Sequence, residues 1–307
     1  MSALPRLVVV LGPTASGKSA LGIWLAEKLG GEILVCDSTQ VYRHFDIGTA
    51  KVPAAEQHGI PHHLMDLVEP SEMFTAGDYR RRALEVLDGL RSRNVLPILT
   101  AGTGLYLRAL LEGLADAPQR SEEIRTRLRH KAEQRGSAHL HRALARLDPE
   151  SAARISAADT QKVIRAIELR LLTGKPVGDI HRSGRDALQG YEIIKLGLLP
   201  PRAALYARIH ARTAALLAAG WLEEVCALVS GVPADAKPFQ FIGYSQLREH
   251  LAGRLSEKDA VQQIQQATRR FAKRQMTWFR KESGVQWLAG FGDAPEISAA
   301  ALAIVKS

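Results

Sequence analysis

Gly12-Pro13-Thr14-Ala15-Ser16-Gly17-Lys18-Ser19 fits the pattern G-x-x-x-x-G-K-[ST], and its flanks decide how it reads. Ahead of it, Leu7-Val8-Val9-Val10-Leu11 is a short apolar, β-branched run ended by Gly12-Pro13, the signature of a buried parallel strand. Behind it, Lys18 to Leu29 has helical spacing, with Leu21, Leu25 and Leu29 on one face and Gly30-Gly31 as the stop. Glu32 to Asp37 reads as a second strand. Strand, loop, helix, strand is the opening of a βαβ fold, and the octapeptide sits where a phosphate-binding loop has to sit. Its glycines let backbone N–H groups curl around an anion, and the helix starting near Lys18 aims its unpaired N–H groups and positive dipole end at the same place. Lys18 adds a point charge and Ser19 a hydroxyl suited to Mg²⁺. Gly12 to Ser19 is therefore expected to hold a diphosphate or triphosphate, with the leaving group left open.

Further out, His62–Leu67 reads as a short strand. Thr75 to Arg91 reads as a helix whose stripe runs from Ala76 to Leu90, and Val95–Thr100 as a strand ended by Ala101-Gly102-Thr103-Gly104. Glu192–Leu199 reads as a later strand of the same sheet, closed by Pro200-Pro201. Between 116 and 185 the pattern is helical throughout. The expected fold class is α/β, a P-loop NTPase-like parallel sheet flanked by helices. Its core is built from 1–115 and 186–307, and an all-helical insertion spans 116–185. The last third is helical again: Leu205–Ala219, Leu222–Val229, and a long helix from Glu257 to Lys281 whose apolar face is read as Val261, Ile264, Ala267, Phe271 and Trp278.

The chain has 307 residues, 46% of them hydrophobic and 24% charged, enough to bury a sizeable core. Its 41 Lys and Arg against 32 Asp and Glu give a net charge of +9, which suits a polyanionic partner. The charge is concentrated. Arg125 to Arg182 holds 13 basic and 6 acidic residues, and Ala260 to Lys281 holds Arg269, Arg270, Lys273, Arg274, Arg280 and Lys281 with no acid. A face of one sign that long fits a phosphate backbone better than mere solubility. Two cysteines, Cys36 and Cys226, are too few for a disulfide framework or a four-cysteine zinc site and read as buried thiols. No apolar run reaches membrane-spanning length, and Leu7–Leu11 is too short for the apolar core of a signal peptide. A cytoplasmic, monomeric protein off the membrane is expected.

Ligands of open parallel sheets bind at the carboxyl ends of strands, so Asp37, which ends the second strand, faces the phosphate site. It suits a magnesium partner, a base or a turn residue. Ser38-Thr39-Gln40 continue it with hydrogen-bonding side chains. Thr103 offers a hydroxyl at the same edge, or simply shapes a turn. His62-His63 do not read as a metal pair, because neighbours on a strand point to opposite faces.

With these residues in view, the sequence resembles the tRNA dimethylallyltransferase (tRNA isopentenyltransferase) family, bacterial type. The resemblance is carried by Gly12–Ser19, Asp37-Ser-Thr-Gln-Val-Tyr42, Asp46-Ile-Gly-Thr-Ala-Lys51, His62-His63-Leu-Met-Asp66 and Gly102-Thr-Gly-Leu-Tyr106. It continues through Asp148-Pro149 to Arg154-Ile155, Arg165-Ala-Ile-Glu168, Thr173-Gly-Lys-Pro176, Ile242-Gly-Tyr244 and Arg270-Phe-Ala-Lys-Arg-Gln-Met-Thr-Trp-Phe279. These stretches run in order over nearly the whole chain. Lys162-Val163 and Ile167 depart slightly from the family pattern, and the zinc finger of the eukaryotic members is absent.

The resemblance implies transfer of a dimethylallyl group from its diphosphate to N6 of the adenosine just 3′ of the anticodon in tRNA. The phosphate loop, Gly12 to Ser19, then grips the prenyl diphosphate rather than ATP, with Mg²⁺ on Ser19. It also implies Asp37 as the group that takes a hydrogen bond or proton from N6, Thr103 as a positioning group, and Arg208 as the arginine that neutralises diphosphate. Arg212, one helical turn on, is the alternative. By the same resemblance tRNA is contacted by Asp37, Ser38, Thr39, Gln40, Thr103 and Arg125, by Gln161, Lys162, Val163, Ile164 and Arg165, and by Gln240, Phe241, Ile242, Gly243, Tyr244 and Ser245. The helical insertion would clamp the anticodon stem-loop. A small-molecule kinase is the competing reading of a bare phosphate loop, and it gives the long basic helix no task. A prenyl-chain synthase is disfavoured because no DDxxD-type aspartate pair occurs.

Overall fold

A computed structural model describes residues 4–115, 117–118, 120–182 and 186–307. The first unit, Met1–Leu110 with Gln189–Ser307, is built on one six-stranded sheet. Its elements are β1 (Arg6–Leu11), α1 (Lys18–Leu29), β2 (Gly31–Cys36), β3 (His62–His63), α2 (Ala76–Ser92), β4 (Leu96–Ala101) and α3 (Gly104–Leu111). All strands are parallel in the order β3-β2-β4-β1-β5-β6, where β5 (Glu192–Leu198) and β6 (Val285–Leu288) come from the end of the chain.

The apolar run that predicted β1 lies at the centre of that sheet. Leu7 to Leu11 are fully buried, each contributing about 1.5–3 kcal/mol by leaving water. Leu21, Leu25 and Ala26 of α1 pack on Val8, Val10, Ile33, Val35 and Ile98 in one cluster. Thr75 starts α2 with a capping box: its hydroxyl accepts from the Asp78 amide and the Asp78 carboxylate accepts from the Thr75 amide.

The strand expected over His62–Leu67 is two residues long. Leu64 and Asp66 take positive φ (70° and 52°), which breaks the extended ladder. In this unit the sequence reading omits β6 and the helix that ends the chain, Pro295–Lys306.

The second unit, Leu111–Leu188, is helical: α4 (Glu122–Arg135), α5 (Ser137–Leu147), α6 (Pro149–Arg154), α7 (Thr160–Thr173) and α8 (Val177–Arg182). The expected ends of the insertion, 116 and 185, lie outside the described residues. Its core gathers Leu128, Leu140, Leu144, Val163, Ile164, Ile167 and Leu169. Glu168 sits fully buried among them, accepting from the Ser121 amide (2.7 Å), from Arg125 (2.9 Å) and from Arg165 (2.7 Å). Burial alone would raise its pKa, but the two guanidiniums and the amide outweigh it and hold the carboxyl below its ordinary value.

The remaining helices belong to the first unit: α9 (Arg202–Ala218), α10 (Trp221–Gly231), α11 (Tyr244–Leu251), α12 (Glu257–Phe279) and α13 (Pro295–Lys306). The buried face of α12 is Ala260, Ile264, Ala272, Gln275 and Phe279, rotated from the expected stripe. Val261, Phe271 and Trp278 are only half-buried, because the helix presents a polar side chain, Gln275, to the interior. Arg270, Lys273, Arg274, Arg280 and Lys281 are all exposed. Among the described residues no single helix is long and apolar enough to cross a membrane.

Candidate active site

The turn from β1 into α1 has the shape its sequence predicts. Gly17 takes φ 87° at the N-cap and offers no side-chain cap, so the first turn of α1 keeps its N–H groups open. Among the described residues, the amides of Ala15, Gly17, Lys18 and Ser19 have no hydrogen-bond acceptor. Four open amides around one loop form an anion cradle. Ser16 is fully buried and its hydroxyl has no partner, an orphaned polar atom inside the same loop.

Lys18 donates to the Pro13 carbonyl at 2.9 Å. Desolvation takes its pKa down to about 8, against the pull of nearby Asp37, and Arg212 pushes the same way as desolvation. These influences place Lys18, Asp37 and Arg212 within electrostatic reach of one another. Desolvation, then Arg208, also lowers the pKa of Arg212, which has neither an ion pair nor a hydrogen bond among the described residues. Arg208 is differently placed. Its guanidinium makes a bidentate pair with Asp293 (2.7 and 2.6 Å) and stacks on Phe291. Of the two arginines the resemblance offered, Arg212 is the one without a direct ion pair, feeling Asp37 only through space.

Asp37 follows β2 directly. Its Oδ1 accepts from the Thr39 amide (2.9 Å) and the Thr39 hydroxyl (2.7 Å), an Asx-turn that fixes the carboxylate. Its Oδ2 has no partner among the described residues. A Cβ on Gly102 would lie 2.5 Å from that Oδ2, so only glycine leaves the carboxylate its place. Thr103 does not project its hydroxyl at a free site. It accepts from the Ser38 amide (3.0 Å) and donates to the Ser38 hydroxyl (3.2 Å), and so braces the Asp37 turn. On the other side of Asp37 stand buried Cys36, Tyr79 and Tyr106. The two tyrosine rings are stacked at 4.5 Å, and burial pushes the Cys36 thiol up to about 12. The base candidate thus has an apolar wall behind it.

Gln40 donates to the carbonyls of Thr49 and Ala50 (3.0 and 3.2 Å), anchoring the Asp46–Lys51 segment beside the Asp37 turn. That segment is held by Glu224 of α10, which accepts from the amides of Asp46, Ile47 and Gly48 and from the Tyr244 hydroxyl (2.6 Å). Lys51 ties it from within, donating to the Tyr42 carbonyl, Asp46 and Asp66.

Of the 240–245 stretch, Gln240 is exposed and Phe241 packs its ring on Tyr42 (5.7 Å). Tyr244 is fully buried and Gly243 lies against Trp221, so neither presents a side chain to a partner. The second unit divides in the same way between exposed and buried members. Val163 and Ile164 are core residues and Arg125 and Arg165 are held by Glu168, while Gln161 and Lys162 are exposed, Lys162 pairing with Asp159.

Two groups escaped sequence reasoning. Asp293, 85 residues from its partner Arg208, carries no local signal. Gln275 accepts from the Thr14 amide (2.7 Å) and donates to the Gly102 carbonyl (2.7 Å).

Comparison with known proteins follows the same lines. The IPP transferase family pattern matches residues 40–282. The chain is 51% identical over 297 residues to the tRNA dimethylallyltransferase of Solibacter usitatus, covering 96% of each, and 50% identical over 303 residues to that of Koribacter versatilis, covering 99% of each. Among solved structures it resembles the full-length tRNA isopentenylpyrophosphate transferase of Bacillus halodurans, with 35% identity, 98% coverage of both chains and a TM-score of 0.70. It also resembles a eukaryotic dimethylallyltransferase acting on tRNA, with 27% identity, 93% of this chain, 74% of the other and a TM-score of 0.80.

Proposed function

This chain belongs to the IPP transferase family, and from that premise we propose that it moves a dimethylallyl group from dimethylallyl diphosphate to N6 of the adenosine 3′-adjacent to the anticodon of tRNA. The observation that carries the reading is the pairing, at one sheet edge, of an open amide cradle carrying an under-compensated lysine with a carboxylate fixed by its own turn.

The chemistry divides between the two. The amides of Ala15, Gly17, Lys18 and Ser19, with the Lys18 ammonium and the Arg212 guanidinium, hold the diphosphate and take up the charge that grows as the allylic C–O bond breaks. The bonding pair stays on the departing diphosphate oxygen. The N6 lone pair forms the new C–N bond, and the N6 proton passes to the Asp37 carboxylate, whose free Oδ2 is the acceptor. Thr39, bonded to Oδ1, and Thr103, bonded to Ser38, keep the carboxylate in place. Arg208, locked to Asp293, orients the loop that lies against Gly17 rather than meeting the diphosphate itself.

Mg²⁺ fits this edge. It takes oxygen ligands, keeps several waters and shares substrate phosphates, and the exposed Ser19 hydroxyl at the mouth of the cradle would be such a ligand. Diphosphate oxygens and water would complete its shell, and Asp37 stands close enough to the cradle to act on Lys18. When bound, the ion adds charge stabilisation to the leaving group.

The target base has to leave its stack to reach Asp37, at a cost of a few kcal/mol. The exposed basic faces of α12 and of the helical unit would supply backbone contacts that offset it, with Ser38, Thr39 and the exposed Gln240 offering polar groups to the RNA. The reaction would take place in the cytoplasm, with one chain as the working unit, which light scattering checks.

Incubation with dimethylallyl diphosphate, Mg²⁺ and unmodified tRNA, followed by nucleoside mass spectrometry, should yield prenyl-adenosine. Asp37→Ala should abolish turnover and leave tRNA binding within a few fold. No product from wild type, or phosphate transfer from ATP independent of tRNA, would overturn the reading.

A further inference from the structure

Gln275 is the one polar side chain on the buried face of α12, 6% exposed. A buried amide is tolerated only when its groups are paired, and here each end has a short, direct partner. Its Oε1 takes the Thr14 amide at 2.7 Å, and its Nε2 reaches the Gly102 carbonyl at 2.7 Å. Thr14 belongs to the phosphate loop and precedes Ala15, which is held at φ 63°, a conformation that residues with a Cβ rarely adopt. Gly102 is the backbone on which the Asp37 carboxylate rests. One rigid side-chain amide thus spans the two halves of the chemistry, the leaving-group cradle and the base.

We propose that Gln275 is a positioning residue that sets the spacing between the diphosphate cradle and the Asp37 carboxylate. It touches neither substrate nor reacting atoms. The inference rests on the prenyl-transfer reading of that edge. An in-line exchange of diphosphate for N6 is sensitive to separation, since a misplacement of about 1 Å can cost on the order of 10²-fold in rate. Fixing Thr14 also keeps the strained Ala15 backbone, and with it the neighbouring open amides, in the anion-binding shape.

Two variants separate the ends. Gln275→Met keeps the volume and removes both hydrogen bonds. Gln275→Glu keeps an acceptor for Thr14 and loses the donor to Gly102. Kinetics with both substrates saturating should show kcat down at least tenfold in Gln275→Met, with KM for dimethylallyl diphosphate and for tRNA within about threefold of wild type. Gln275→Glu should retain the affinity of wild type for inorganic pyrophosphate within a few fold and still lose kcat. A purely structural residue would instead lower the melting temperature and leave kcat of the folded enzyme unchanged. Wild-type kcat in both variants, measured well below their melting temperatures, would overturn the proposal, and if Gln275→Met does not fold, Gln275→Glu alone decides it. Failure of the underlying reading looks different: wild type itself would then bind no pyrophosphate and make no prenyl-adenosine.

Discussion

Lys18 and Glu168 are both charges drawn away from water, the first in part and the second wholly, and they are treated in opposite ways. Glu168, at the centre of the helical unit, accepts from an amide and two guanidiniums, and the net effect favours its charged form. Lys18 has one neutral carbonyl, an unbonded carboxylate nearby and an arginine of its own sign, and burial lowers its pKa to about 8. A compensated buried charge stiffens the fold and does little else. An uncompensated one persists because something outside the protein completes it, and it marks a binding site. The orphaned Ser16 hydroxyl belongs to the same pattern, while Arg125 and Arg165 follow Glu168.

That contrast can be broken by substitution. Lys18→Met should cut kcat/KM for dimethylallyl diphosphate by about 10²–10³, with no loss of thermal stability. A large drop in stability instead would make Lys18 a scaffold group. Glu168→Ala leaves Arg125 and Arg165 facing each other in a core. It should destabilise the protein by about 3–5 kcal/mol in chemical denaturation, while the folded enzyme keeps its KM for the prenyl donor. Arg212→Ala should raise KM for dimethylallyl diphosphate about tenfold, and Arg208→Ala distinctly less, because Arg208 already has Asp293. Equal effects would collapse the distinction between a free and a committed arginine.

The smallest effects come from pH, and their signs differ at the two centres. The Lys18 pKa is depressed in the folded chain, so pyrophosphate affinity should fall as pH rises through about 8, where the ammonium is lost. Calorimetry near pH 8 in buffers of different ionisation enthalpy should detect proton uptake on binding that is absent in Lys18→Met. The Glu168 pKa is depressed too, but for an acid. Its stabilisation is complete above the ordinary carboxylate range and is lost as pH falls through the lowered value, so acid should loosen the helical unit without a corresponding transition near pH 8.

The half of this comparison that was legible in sequence is the local half. The phosphate loop declares itself because strand, loop and helix are contiguous and each obeys its own period. Asp37 was legible because strand ends define the ligand edge of a parallel sheet. What escaped depends on distance in the chain or on a polar group inside. β6 is four residues with glutamine in the middle, too short and too polar to announce a strand. The phase of α12 was misread because Phe271 and Trp278 are more hydrophobic than Gln275, yet the interior takes the glutamine, whose hydrogen bonds decide the rotation of the helix. Thr103 looked like a substrate ligand because nothing in its neighbours reveals that Ser38 occupies its hydroxyl. Val163 and Ile164 stand beside the exposed Gln161 and Lys162 in one motif, but a helix with 3.6 residues per turn sends one side of such a block inward and the other to water.

The Gly292 amide donates to the Ser16 carbonyl at 2.8 Å, and Gly292 and Asp293 press so closely on Gly17 that a side chain there would collide. The phosphate loop is therefore closed by a segment remote from it in the chain. A chain cut before that segment would carry an unclosed anion loop, so the grip on diphosphate depends on a contact that neither β1 nor α1 supplies.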